Sequence, residues 1–166
     1  MDYTLSEQQK ALVGTVRSFL QRECPRDVVR EMDEQEEFPL KHWDTIAEIG
    51  LLGAPFPSEY GGSDGTIMEE ILITEELARG FTALAFAYLV TVSFGGLSIN
   101  QFGTEEQKRH HLPKLSSGTR YCLALTEPGG GSEPTLWSWG CRGDRPLNSS
   151  HSLSNSASVI SGLASL

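Results

Sequence analysis

The chain has 166 residues, a net charge of −9 and an isoelectric point of about 4.9. This length suits one domain with its own core, and the content of 39% hydrophobic and 21% charged residues is ordinary for a globular protein. An acidic chain gains no electrostatic attraction from nucleic-acid phosphates or anionic lipids. The composition therefore argues against binding to nucleic acid or to a membrane surface.

The three cysteines, Cys24, Cys122 and Cys141, are far apart and form no CxxC pair. Their distribution argues against a disulfide framework or a zinc site and favours a reducing compartment. The first residues lack both the basic region of a signal peptide and the Arg-rich bias of a transit peptide. We therefore expect a cytoplasmic protein, with the mitochondrial matrix as the alternative.

The first two predicted elements are amphipathic helices. Thr4 and Glu7 match a T-x-x-E capping box, and apolar residues then recur every three or four positions to about Glu23. Pro25 suits the first turn of a short second helix. The inward-facing residues of that helix would be Val28, Val29 and Met32.

A third helix is predicted to begin at Pro39 and to end at Gly50, a common residue at a helix C-terminus. Residues 51–57 are predicted to form an extended, buried connector. Residues 58–62 are predicted to turn, because their two adjacent glycines permit positive φ. The inner face of the third helix would carry Trp43, Ile46 and Ala47.

Residues 66–79 predict a fourth helix, and residues 82–101 predict a fifth. No charged residue lies between Arg79 and Glu105, and such a stretch is long enough to span a bilayer. However, it contains several glycines and polar residues, and one of its two flanks is not basic. These features favour a helix buried on all sides in a bundle.

Thr104 and Gln107 match a second capping box, which would begin a polar sixth helix. This helix is predicted to end at about His111, because Pro113 disturbs the backbone hydrogen bonding. His110 and His111 are adjacent and would point about 100° apart on a helix, so they could not share one metal ion. Neither these nor the other two histidines lie in a recognisable nucleophile motif.

The pattern changes near residue 120. Residues 120–126 form a short apolar run typical of a strand, and residues 127–132 form a loop with three consecutive glycines. Such a loop lets a ligand approach the backbone and can bind an anion, although it is more often a plain turn. It is neither a Walker loop nor a dinucleotide-binding fingerprint. Residues 133–166 are Ser-rich without hydrophobic periodicity, which predicts a poorly ordered tail.

These elements predict a mainly α fold with three parts. Residues 1–118 would form an up-and-down bundle of about six helices, and residues 119–132 a short β segment. Residues 133–166 would form the poorly ordered tail.

Several short motifs follow one another in order across residues 1–132, and each is modest by itself. They are LSEQQ (5–9), FP (38–39) followed by Trp43, IGLLG (49–53), PSEYGG (57–62), FGTEEQK (102–108), LPKL (112–115) and ALTEPGGGS (124–132). Together, at this spacing, the set resembles the acyl-CoA dehydrogenase family.

The resemblance implies an N-terminal helical domain, a middle β-barrel domain and a C-terminal helical bundle. This chain would cover the first domain and the first strand of the second. The implied cofactor is FAD, and the implied substrate is an acyl-CoA, which relatives oxidise to the 2-enoyl form. By the resemblance, Leu123, Leu125 and Thr126 would flank the isoalloxazine ring, and Ser132 would lie near both FAD and the CoA thioester arm.

Helices of the first domain would help to wall the acyl pocket. Phe86, Val90 and Phe94 share one face of the predicted fifth helix through their i, i+4, i+8 spacing. They are the candidate substrate-binding residues, and an ordinary role in the core is at least as well supported.

The family pattern is not continued after Ser132, and neither Trp137 nor Trp139 is assigned the flavin-shielding role of the family. The family's catalytic base is a carboxylate of the C-terminal bundle, so we assign no catalytic residue. We expect this chain alone to bind FAD weakly or not at all and to have no turnover. The Ser-rich end is hypothesised to be a frameshift or an alternative end.

Two alternatives stay open at this point. The chain could be a helical interaction fragment, whose exposed apolar faces favour self-association. It could also belong to an acyl-CoA oxidase or a flavin monooxygenase, which share the architecture and which the sequence does not discriminate.

Overall fold

The computed structural model describes residues 4–122 of the chain. Within this range the fold is helical and contains no strand, which confirms the mainly α prediction. Residues 120–122 carry no regular secondary structure, and the rest of the predicted strand, the loop and the tail lie outside the described residues. The helices are α1 (Glu7–Glu23), α2 (Arg26–Glu34), α3 (Leu40–Glu48), α4 (Ile67–Gly80), α5 (Thr82–Phe102) and α6 (Glu105–Ser116).

Helix α1 begins two residues later than predicted. Its N-cap is Ser6, whose hydroxyl accepts a hydrogen bond from the Gln9 backbone N–H at 3.1 Å, and the Gln9 side chain accepts from the Ser6 N–H at 3.0 Å. The predicted Thr4–Glu7 box is therefore wrong. The two patterns are equivalent locally, but Gln9 also donates to Glu69 of α4 at 2.9 Å, so a tertiary contact favours the later start.

The buried connector after α3 is curled instead of extended. It forms two 3-10 turns, Leu51–Gly53 and Ser58–Tyr60, and its apolar side chains are almost fully buried. No described strand lies beside it to pair its backbone, so local turns satisfy its polar groups. Gly50 and Gly61 have φ of +79° and +83°, as expected for glycines that end helical segments.

Helix α6 continues through Pro113 to Ser116, which corrects the predicted end at His111. An interior proline costs about 3 kcal/mol, because it removes one hydrogen bond and crowds the preceding turn. Leu112 and Leu115 are both fully buried, and full burial of a leucine contributes about 1.5–3 kcal/mol. Pro113 itself faces solvent, and the two leucines outweigh its cost.

Helices α1 and α4 pack side by side and run parallel. Near their N-termini Gln9 contacts Glu69, and further along Arg17 donates to both carboxylate oxygens of Glu76 at 2.8 Å. At their C-terminal ends Leu20 packs against Gly80. The parallel arrangement requires the long connection through α2 and α3, and Trp43 and Ile46 of α3 lie in the core. The largest fully buried side chains are Trp43, Tyr88, Phe19, Phe56, Ile46, Leu52, Ile73, Leu77, Leu84, Leu112, Leu115 and Val16.

Helix α5 is irregular, and the prediction that it is buried on all sides is wrong, because Phe86, Phe94 and Phe102 are 64%, 44% and 65% exposed. It is α-helical over Thr82–Tyr88, π-helical over Leu89–Leu97 and α-helical again over Ser98–Phe102. The sequence predicted a regular helix here. By length and composition alone α5 could also cross a membrane, and 44% of its apolar window is buried within the bundle.

The packing of Gly96 in α5 explains the close approach of this helix to its neighbours. A Cβ atom there would lie 2.3 Å from Cζ of Phe56 and 2.8 Å from Cδ1 of Leu115. Only glycine lets the π-helical turn pack so closely.

Candidate functional site

An open groove of about 350 Å³ lies along the first half of α5. Its size falls at the lower end of the range of ligand-binding pockets. Its walls come from α5, from the segment before α3 and from the segment after α6. The lining residues are Phe38, Ala83, Phe86, Ala87, Val90, Thr91, Arg120 and Tyr121.

Two of the three candidate substrate-binding residues reach this groove. Phe86 and Val90 line it, whereas Phe94 is 44% exposed and is not among the lining residues. The spacing argument assumed a regular α-helix, and the wider π-helical turn after Tyr88 rotates later residues away from the expected face. The candidate cofactor-binding residues Leu123, Leu125, Thr126 and Ser132 lie outside the described residues.

The opposite wall of the groove contains residues that sequence reasoning did not select. The Arg120 guanidinium carbon lies 5.2 Å from the centre of the Phe38 ring, which is cation–π geometry. Phe38 precedes α3 and Arg120 follows α6, so no helical periodicity connects them. The FP motif at residues 38–39 marked the position without indicating its neighbour.

Tyr121 is held against α5 by its backbone. The Thr91 hydroxyl donates to the Tyr121 carbonyl at 3.1 Å and accepts from the Tyr121 N–H at 3.4 Å. Gly95 makes room for this contact, because a Cβ atom there would lie 2.7 Å from Cβ of Tyr121. The chain is therefore fixed at the groove immediately before residue 122.

The Tyr121 side chain is fixed by His111 of α6. The Tyr121 hydroxyl lies 3.0 Å from Nδ1 of His111, and the two rings meet edge to face with centres 5.7 Å apart. Burial lowers the pKa of His111, and the nearby His110 and Lys114 lower it further. Burial also raises the pKa of Tyr121. Both shifts favour neutral rings, so this pair adds no charge to the groove wall.

The groove is suited to bind an apolar group. Among the described residues that line it, Arg120 carries the one charge, and none offers a carboxylate or a thiol. The buried acid Glu70 accepts hydrogen bonds from Ser93 and Thr74 and does not line the groove. The glycines Gly95 and Gly96 face protein atoms and leave no cradle for a ligand. The described residues thus provide a largely apolar surface along α5.

Comparison with known proteins places this geometry in a family. The family model described as "Acyl-CoA dehydrogenase, N-terminal domain" matches residues 6–119. The probable acyl-CoA dehydrogenase YngJ of Bacillus subtilis is 37% identical over 134 residues, which cover 80% of this chain and 35% of the relative. This chain thus spans about a third of the length of that relative.

Solved structures show the same fold. Butyryl-CoA dehydrogenase from Megasphaera elsdenii superposes with a TM-score of 0.73 at 32% identity, covering 81% of this chain and 36% of that protein. An acyl-CoA dehydrogenase from Bacillus anthracis, solved in complex with FAD, gives a TM-score of 0.69 at 36% identity, with coverage of 78% and 22%. The family match extends over more than half of the sequence, and the chain therefore belongs to the acyl-CoA dehydrogenase family, with residues 6–119 corresponding to its N-terminal domain.

Proposed function

We propose that the groove along α5 walls the acyl chain of an acyl-CoA substrate in a flavin-dependent dehydrogenase. The observation that carries this proposal is the apolar surface formed by Phe86 and Val90 in a chain of this family. An acyl chain gains free energy from burial against such a surface and needs no directed polar partner. Arg120, over the Phe38 ring, would mark the polar end of the groove.

The proposed division of the chain follows the same reasoning. Residues 1–118 would be the helical domain, residues 119–132 the start of the β-domain and residues 133–166 a segment outside the family pattern. The end of α6 at Ser116 and the end of the family match at residue 119 support a boundary there. Tyr121, just past this boundary, still contacts the helical domain through Thr91 and His111.

FAD is the proposed cofactor, and it would accept the hydride when bound. The relative from Bacillus anthracis was solved with FAD. Leu123, Leu125, Thr126 and Ser132 are the residues proposed to hold it. The described residues contribute the substrate wall and the anchoring of Tyr121, and they supply no proton acceptor to the groove.

The first test addresses flavin binding and turnover by the 166-residue chain. The purified chain would be mixed with FAD, separated by gel filtration and examined for flavin absorbance and for bleaching by acyl-CoA. We expect substoichiometric flavin and no bleaching. The absence of bleaching follows because the described residues supply no general base to the groove. Stoichiometric flavin that acyl-CoA bleaches would contradict the proposed inactivity.

The second test addresses the groove directly, by measuring acyl-CoA affinity with titration calorimetry. Phe86→Asp should weaken binding by about tenfold or more, because an unpaired carboxylate opposes an apolar ligand. Phe102→Asp is the matched control, since the two phenylalanines are 64% and 65% exposed and both lie on α5. An equal loss of acyl-CoA affinity in both variants would contradict binding of the acyl chain in this groove.

A further inference from the structure

The groove opens at the point where the chain leaves the described region. Arg120 and Tyr121 line it, and residue 123 is the first that lies beyond the described part of the chain. Phe86 is 64% exposed and Phe38 is 45% exposed, so the groove presents aromatic surface to solvent. A contiguous apolar surface of this kind favours a covering partner.

Residues 123–166 contain a short apolar cluster that fits this surface. Trp137 and Trp139 are the only Phe, Tyr or Trp residues in that stretch, and Leu136 precedes them directly. The cluster lies outside the match to the N-terminal-domain model at residues 6–119. Glu133, close before it, carries the charge opposite to that of Arg120.

The connection between groove and cluster has a suitable length and composition. Residues 122–135 intervene, and they include three consecutive glycines. If this stretch is flexible in the 166-residue chain, a linker of this length has a root-mean-square span of roughly 20 Å, which is ample for a return to a groove beside its own starting point. Such a tether also gives an effective concentration of about a millimolar, so a weak intrinsic affinity is sufficient.

We propose that the segment Leu136-Trp137-Ser138-Trp139 docks into the groove of its own chain, with the indole rings against Phe86 and Val90. The Arg120 guanidinium, which already stacks on Phe38, is placed to meet an indole face in the same way, and Trp is the strongest aromatic partner of a cation. If the groove also holds an acyl chain, which rests on the proposed function, the segment and the acyl chain compete for one surface.

Tryptophan fluorescence of the full chain tests this docking without FAD or acyl-CoA, so its result is independent of the proposed function. The chain has three tryptophans, and Trp43 is buried in the core. Subtracting the signal of a Trp137→Phe/Trp139→Phe double variant isolates the two tail indoles. We expect this difference signal to be blue-shifted and at least twofold less quenched by acrylamide than in the urea-unfolded chain.

Variants of the groove show where the indoles bind. Phe86→Asp should raise the quenching of the tail indoles to the unfolded level, whereas Phe102→Asp should leave it unchanged. Circular dichroism would show that both variants keep the helical fold. Fully accessible indoles in the unsubstituted chain, or an equal response of the two variants, would overturn the proposal. Protection of the indoles from acrylamide that is lost when the protein is diluted would also overturn it. The groove would then be occupied by the segment of a second copy of the chain.

Discussion

At the scale of single residues, two glycines within helices differ in the space around them. Gly95 of α5 has Tyr121 against it, so an added Cβ would overlap that side chain. Gly14 of α1 is exposed, and an added Cβ would meet no atom within 4 Å. Glycine inside a helix costs backbone entropy, and only a close contact compensates for that cost.

We therefore expect opposite effects from the same substitution at these two positions. Gly95→Ala should destabilise the fold by about 1–3 kcal/mol, because overpacking displaces Tyr121 from α5. Gly14→Ala should stabilise it by about 0.5–1 kcal/mol, because alanine is the better helix former. Urea unfolding followed by circular dichroism measures both values. A stabilised Gly95→Ala variant would show that Tyr121 is not packed there.

The residues of the groove show how far the sequence alone could predict the site. Phe86 and Val90 were accessible to prediction, because both lie on one helix and repeat with its period. Phe38 and Arg120 are not predictable in this way, because the fold brings them together from segments more than eighty positions apart. Phe94 was assigned to the same face because nothing in the sequence marks the π-helical turn.

At the scale of elements, the N-termini of α1 and α4 are joined through their caps. Glu69 accepts from the N–H and the hydroxyl of Thr66, at 2.7 and 2.6 Å, and from the side chain of Gln9 at 2.9 Å. These hydrogen bonds lower the pKa of Glu69 from 4.5 to about 2, and the bond from the Thr66 hydroxyl contributes most, followed by the bond from Gln9. The ionised carboxylate thus ties one helix cap to the other.

This pairing predicts a specific loss of stability in acid. Because the pKa of Glu69 is lower in the folded chain than in the unfolded chain, its contribution is complete above about pH 5 and is lost as the pH falls from 4.5 toward 2. Glu69→Gln retains an acceptor at the N3 position but does not titrate. Between pH 6 and pH 3 the stability of the variant should therefore fall less than that of the unsubstituted chain, as measured by urea unfolding at each pH.

A matched substitution separates this effect from general acid denaturation. Glu48→Gln changes an exposed residue at the end of α3, and it should alter stability by no more than about 0.5 kcal/mol at any pH. If Glu48→Gln and Glu69→Gln reduce the pH dependence of stability equally, the hydrogen bonds of Glu69 make no specific contribution to that dependence.

The sequence predicted the existence of the elements better than their ends. Thr104 and Gln107 cap α6 as expected, and Gly50 stops α3, since both signals are local. The extension of α6 past Pro113 and the curled connector at 51–57 depend on burial against other elements. Local rules carry no information about such contacts, so these errors were unavoidable from sequence.

At the scale of the whole molecule, α4 leaves an apolar face exposed. Ile67 is 56% exposed, Met68 45% and Ile71 51%, and these residues lie within two turns of one another. An exposed apolar face of this kind favours the self-association that the sequence predicts. An acidic chain with a net charge of −9 resists nonspecific aggregation, so the association should be limited in size.

Sedimentation velocity of the 166-residue chain measures this association. Ile71→Lys should shift the distribution toward monomer by about tenfold in dissociation constant, because it places a charge within the apolar contact. Leu40→Lys on α3 is the control, since Leu40 is also 51% exposed. A monomeric unsubstituted chain, or an equal shift in both variants, would contradict self-association through α4.

The contacts that close the bundle also have a consequence for its synthesis. Arg17 pairs with Glu76, 59 positions later, and the indole N–H of Trp43 donates to the Gly118 carbonyl, 75 positions later, at 2.7 Å. At ordinary translation rates roughly 5 to 20 s separate the emergence of α1 from that of Gly118. During this interval the nascent helices present their inner faces without partners, and we expect ribosome-associated chaperones to engage the chain until α6 has emerged.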